Sequence, residues 1–401
     1  MSSVIVRHNM SVVNLITSRH RCGKILNELF ASGVHHAHIS GGRGTLIQDK
    51  WYQSLLPMIS PELEIIQMVV PDPKVDEVMK LCVQHANLKR SGAGAVYCVP
   101  CEDLYAREGF PLWPLDEKER RDEDASTHLN ENMTMIQYIS QGERTDAICR
   151  GAMNVGTHGP IVQYSEGRGL RDRLGWLKIT SKPIKEAVTV LVDNVDANLV
   201  FAAMTKAGQV QLPGHGLIFS MPVQKAIVNI DSVYSQTRHA ASAQQIIKAI
   251  DELKGSKEWR AQSEIDMQGG QAAGLDFLTR STQARVFRNM SRLTVIVDRS
   301  KAGEVSRQIQ NFGAPGVNID HAQYHQPENN QDTRKHTEMS SLRIIMNKDL
   351  AKALQQRIAE EIEVPLAVYT QPIGQSLFYR TPVEAPAEEN VRYYRGQRIK
   401  A

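Results

Sequence analysis

Apolar positions along this chain switch between a helical period and a strand period, and the switches come in a fixed order. Cys22, Ile25, Leu26, Leu29 and Phe30 recur at helical spacing, and Gly33 closes that helix. Residues 34–39 then read as a strand. Ser40-Gly41-Gly42-Arg43-Gly44 reads as a turn-rich stretch that opens a loop of roughly 16 to 20 residues. A continuous apolar run over residues 63–70 has the character of a buried strand and is stopped by Pro71-Asp72-Pro73. Val75, Val78, Met79, Cys82, Val83 and Ala86 follow on one helical face, at offsets 0, 3, 4, 7, 8 and 11. A short strand over residues 96–99 ends the series.

The same order returns twice. Ser91-Gly92-Ala93-Gly94-Ala95-Val96-Tyr97-Cys98-Val99-Pro100 is echoed by Pro213-Gly214-His215-Gly216-Leu217-Ile218-Phe219-Ser220-Met221-Pro222. A third version without glycines runs Glu363-Val364-Pro365-Leu366-Ala367-Val368-Tyr369-Thr370-Gln371-Pro372. In the second copy Ser165-Glu166-Gly167-Arg168-Gly169 echoes the earlier Gly-Arg-Gly. The separation from Gly44 to Gly92 is 48 residues and from Gly169 to Gly214 is 45. In the third copy Val305, Ile309 and Phe312 mark one helix, stopped by Gly313, and Leu350, Ala351, Leu354, Ile358 and Ile362 mark the other. One unit repeated three times is the simplest account.

Each unit reads strand-helix-strand-strand-helix-strand, the ferredoxin-like split βαβ order, and the fold class is α+β. Glycines before the last strand, a long loop between the second and third strands, and Val69-Val70-Pro71-Asp72 narrow the match. With these features the chain resembles the PII signalling protein family, as three tandem divergent copies. The expected boundaries are 10–110 for the first PII-like domain, 111–131 for a charged linker and 132–233 for the second domain. A helical insertion follows over 234–290, with Ile246, Ile247, Ile250 and Leu253 on one face. The third domain, with degenerate loops, spans 291–381, and a flexible tail spans 382–401.

PII proteins are trimers that bind nucleotide in the clefts between subunits. The resemblance therefore implies a monomeric single-chain pseudo-trimer closed by approximate threefold symmetry. It also implies a regulatory, non-enzymatic role with an adenine nucleotide or small anion as effector, no cofactor being firmly indicated. Glycine lets backbone N–H groups approach an anion, and nearby cations strengthen such a site. In the first copy the candidates are Arg43, Gly44, Lys89, Arg90, Gly92 and Gly94. In the second they are Arg168, Gly169, Lys185, Gly214, His215 and Gly216. The family carries a lysine directly after its second loop glycine, where this chain has Ala95 and Leu217. A less charged ligand than ATP, or none, stays open on that ground.

The family's long loop docks onto a membrane transporter or a metabolic enzyme. Trp51, Tyr52, Leu55 and Trp176 are the corresponding anchors for a protein partner. Ligand-independent adaptor function is the alternative, and a metal- or redox-responsive protein using His35, His36, His38 or Cys98 and Cys101 is the second. Composition removes other classes. A net charge of +3 with 23% charged residues, and no basic block, argues against nucleic acid. No apolar run is long enough for membrane insertion, and five cysteines suit a reduced, cytoplasmic setting better than a disulfide framework.

Overall fold

The computed structural model describes residues 4–47, 62–90, 92–107, 110, 112–113, 129–169, 184–230, 233–234, 243–255, 284–327, 334–363, 366–379, 393–394 and 397–398. The first unit is β1 (Val4–Ser18), α1 (Arg19–Ala31), β2 (Ala37–Gly44), β4 (Glu62–Pro71), α2 (Val75–His85) and β5 (Gly94–Arg107), with a two-residue β3 (Leu46–Ile47) after β2. The second unit is β6 (Asn130–Ser140), α3 (Thr145–Asn154), β7 (Ile161–Gly169), β8 (Ile184–Asp193), α4 (Ala197–Gly208) and β9 (Leu217–Asn229). Between it and the third lie β10 (Val233–Tyr234), paired with β3, then α5 (Ala243–Lys254) and β11 (Ala284–Phe287). The third unit is β12 (Met290–Asp298), α6 (Ala302–Asn311), β13 (Gly316–Pro327), β14 (Arg334–Asn347), α7 (Lys348–Glu361) and β15 (Ala367–Ile373). It is extended by β16 (Gln375–Tyr379), and a small pair, β17 (Tyr393–Tyr394) and β18 (Gln397–Arg398), follows.

Every unit pairs its strands antiparallel in the spatial order fourth, first, third, second, a sheet of ferredoxin-like type. The registers superimpose: Ile16↔Ala95, Ile139↔Leu217 and Ile296↔Ala367 occupy one place in the three sheets. Gly94, Gly216 and Leu366 are therefore equivalent positions, immediately before that pairing in the fourth strand.

The edges of the sheets close on one another in a cycle. The end of β2 (Gly42–Gly44) pairs with the start of β7, the end of β7 (Glu166–Gly169) with the start of β13, and the end of β13 (Gln323–His325) with the start of β2. The fourth strands do the same: β5 starts on the end of β9, β15 starts on the end of β5, and β9 starts on β16. Fourteen strands thereby join one hydrogen-bonded network, in which the second- and fourth-strand edges of the units are paired over part of their length.

Two kinds of core result. Each unit packs its helices on the outer face of its own sheet: Leu26 and Met79 in the first, Phe201 and Val188 in the second, Ile309 and Leu354 in the third. The inner faces meet in a shared core containing Ile16 and Ile65, Met135 and Phe219, and Met290 and Ile373. Sheets buried on both faces explain why the strands read as continuous apolar runs.

The structure corrects two expectations. Ser40–Gly44 and Ser165–Gly169 are not turns but strand, because each is hydrogen-bonded to a neighbouring unit. Gly42 belongs there for steric reasons: a Cβ on it would lie 3.2 Å from the Val162 carbonyl oxygen. The two Gly-Arg-Gly phrases are also offset, since register places Ser40 opposite Ile65 and Gln163 opposite Ala187. Arg43 is consequently equivalent to Glu166, not to Arg168.

Candidate functional site

The seam between the first and second units gathers the largest share of the predicted residues. Arg43 lies in the part of β2 that pairs with β7. Its Nε donates to the Tyr164 hydroxyl at 3.1 Å, and its Nη2 is 3.8 Å from the Glu186 carboxylate. Glu186 is opposite both Tyr164 and Ser140, and its side chain lies beside the Gly142 turn. Gln141, in that turn, adjoins Gly214. The Arg43 guanidinium of one unit and the glycine phrase of the next thus occupy the same end of the second sheet. Gly44 pairs with Ile161, and Thr45 beyond it donates to the Pro160 carbonyl at 2.7 Å. Arg43 and Glu186 are mostly buried, at 22% and 14% exposed, whereas Tyr164 is 53% exposed. A guanidinium held by one phenol and one distant carboxylate can exchange them for the oxygens of an anion.

The glycines divide into two kinds. Gly92 and Gly214 sit in exposed turns at φ +73° and +81°. Gly94 and Gly216, at φ +131° and +97°, face the backbone: a Cβ would overlap the carbonyl oxygen of Ile16 in one unit and of Ile139 in the other. The second glycine of each phrase is thus required by the fold itself. The third unit solves the same junction with Leu366, whose N–H donates to the Ile296 carbonyl at 2.9 Å. His215 is tied down, its backbone oxygen accepting from the Tyr138 hydroxyl at 2.9 Å and its Nδ1 donating to the Gly208 carbonyl at 3.3 Å.

The remaining candidates are spread out. Lys89 and Arg90 are exposed in the turn before Gly92, on the opposite edge of the first sheet from Arg43. Arg168 serves the seam between the second and third units. It binds Glu166 through Nε and Nη2 at 3.0 Å, reaches the Gly303 carbonyl at 3.5 Å, and its own carbonyl accepts from Gln310 at 2.9 Å. Gly169 pairs with Gly316 there. Lys185 lies along β8 with its aliphatic stem over Gly167. Trp51, Tyr52, Leu55 and Trp176 fall outside the described residues. Sequence reading misses Tyr164 and Glu186, the groups that hold Arg43. Only the pairing of β2 with β7 puts them beside it.

The histidines and cysteines have other employment. His35 packs edge-on against Trp113 with ring centroids 4.8 Å apart, and His36 Nε2 accepts the Val69 N–H at 3.2 Å. His38 is buried beside Ser341 and Arg343, and burial, reinforced by Arg343, pulls its pKa down to about 3. Cys98 and Cys101 stand three residues apart on one strand, so their side chains point to opposite faces, one into the outer core and the other into the seam with the third unit. Burial pushes the Cys98 thiol up to about 12 and the Cys101 thiol well above its ordinary value, which disfavours the reactive thiolate. Among the described residues no three of His, Cys, Asp or Glu gather as a metal site. No described helix is long and apolar enough to cross a membrane.

No family model and no curated protein matches the sequence. Among solved structures the chain is similar to an aspartate kinase from Synechocystis at 9% identity and a TM-score of 0.19. The similarity covers 92% of this chain and 44% of that one, so this chain spans less than half the kinase's length.

Proposed function

We propose that this chain is a PII-like regulatory protein, a single-chain pseudo-trimer that binds a small anionic effector at the seam between its first and second units. The effector is an adenine nucleotide or a smaller anion. Its arrival is read by a cytosolic protein partner, a transporter or a metabolic enzyme, through the loop carrying Trp51, Tyr52 and Leu55. The observation that carries the reading is Arg43, which stands at the foot of that loop yet is held by Tyr164 and Glu186 of the next unit. An anion that takes the guanidinium releases the tie across the seam where the loop begins. Such coupling requires the effector to bind one loop state better than the other.

Calorimetry of the intact chain against ATP, ADP, AMP, cyclic nucleotides and bicarbonate tests this. Saturable binding to wild type, weakened at least tenfold in Arg43→Met, is expected. A ligand that binds Arg43→Met as tightly as wild type removes the seam assignment.

A second reading has its own support. Gly94 and Gly216 are needed by the backbone whether or not a ligand binds, so the repeated phrase would persist in an adaptor that had lost its effector. Under that reading partner capture is weakened by Trp51→Ala and indifferent to every nucleotide, and none of the ligands above gives heat.

A further inference from the structure

The inner faces of the three sheets are not uniformly apolar, and the exception is confined to the third unit. By register, Arg292 stands where the other units have Val12 and Met135, and its cross-strand neighbour Gln371 stands where they have Val99 and Met221. Likewise Arg343 is equivalent to Gln67 and Thr189, and Asp320 to Ser40 and Gln163. Unit three has therefore placed three charges on interior positions that its sister units keep neutral.

Those charges do not balance. Arg343 Nη1 is 2.7 Å from the Asp320 carboxylate, and its Nη2 donates to Gln67 at 3.1 Å. Arg292 sends both Nε and Nη2 to one neutral oxygen, Gln371 Oε1, at 3.2 and 2.5 Å. Arg292, Arg343 and Asp320 are 5%, 8% and 6% exposed, so the two cations and one anion of this cluster leave one buried positive charge. Burial draws the Arg292 pKa down to about 10, which keeps it charged at neutral pH. Leaving an unpaired charge in an interior is expensive, and an apolar residue is accommodated at this position elsewhere in the same chain.

A cavity of about 10 Å³ adjoins these groups, lined also by Gln137, Ser165 and Asn318. One polar group of the lining, the Ser165 hydroxyl, lacks a hydrogen-bond partner among the described residues. The space is close to the minimum for one small body and too small for sulfate or a nucleotide phosphate. The lining supplies the N–H groups of two guanidiniums, Arg292 and Arg343, and the Ser165 hydroxyl as donors. We propose that this cavity is a buried site for a single monatomic anion of chloride size, bound chiefly by Arg292 and distinct from the effector seam at Arg43. Asp320 also lines it; its Oδ2 lies 2.7 Å from Arg343 Nη1 in an ion pair without an aligned hydrogen bond, so two guanidiniums face one carboxylate and the enclosure keeps its positive sign.

Two measurements test the site. Thermal unfolding of the wild-type chain in sodium chloride, against sodium gluconate at equal ionic strength, should give a midpoint that climbs with the logarithm of chloride concentration. Arg292→Met, which copies the residue at the equivalent place in the second unit, should lose that dependence. Crystals transferred to bromide should show an anomalous peak against Arg292. A bromide-insensitive water at that position overturns the proposal, as does a folded Arg292→Met protein that keeps the full chloride response. If that variant does not fold, the bromide experiment on wild type distinguishes anion from water without it.

Discussion

At the scale of single residues, the two glycines of each repeated phrase do different jobs. Gly216→Ala forces a Cβ against the Ile139 carbonyl at positive φ, and no flexible side chain can yield there. It is expected to cost about 2 kcal/mol or more, while Gly214→Ala, exposed and merely left-handed, should cost about 1 kcal/mol. Urea unfolding of the two variants should separate them in that order. His38 makes a second residue-scale prediction. Its pKa falls from 6.5 to about 3 on folding because burial, and then Arg343, oppose its charge. Below pH 6.5 the unfolded chain takes up a proton that the folded chain refuses, so stability drops as pH falls toward 3, by at most about 1.4 kcal/mol per pH unit. His38→Gln should show a shallower acid slope than wild type between about pH 6.5 and 4. An identical slope would exclude this histidine as the source.

At the scale of elements, β16 makes a link that a repeat pattern cannot foresee. It leaves the third unit after β15, pairs with the start of β9, and carries Leu377 into the outer core of the second unit. Leu377 is 2% exposed, so Leu377→Ala should cost about 2–4 kcal/mol although it lies outside the second unit's own sequence. Denaturant titration would read the loss, and a change below about 0.5 kcal/mol would mean that β16 is not an integral part of that core. The helices are more legible. Offsets of three and four locate α2 and α6 without tertiary help, although Leu350, which the same spacing puts on the apolar face of α7, is 61% exposed. The end of β2 reads as a turn because its glycines signal turns when neighbouring strands are unknown.

At the scale of the whole molecule, the shared inner core makes the three units interdependent. Met135 and Phe219 pack in one cluster with Ile16 and Ile373, from units on either side of them in the chain. Calorimetric unfolding should therefore give one transition in which the calorimetric and van't Hoff enthalpies agree. Three separable transitions would mean that the units hold together by their own outer cores alone. Among the described strands, cyclic pairing also occupies the second- and fourth-strand edges of all three units with one another. Sedimentation should accordingly report a monomer at micromolar concentration.

What the sequence determined by itself was the kind and order of most elements. The alternation of helix and strand, the threefold recurrence and the ferredoxin-like order of elements follow from side-chain spacing along one segment at a time. Tertiary structure decided which ends meet. It closed the ring of β2, β7 and β13, brought Arg43 to Glu186 across 143 positions, and gathered Arg292, Asp320 and Arg343 from three strands. Hydrophobic pattern carries no information at that range, because any buried face satisfies it equally. Backbone pairing between units selects the partner, and with it the charges that must share an interior.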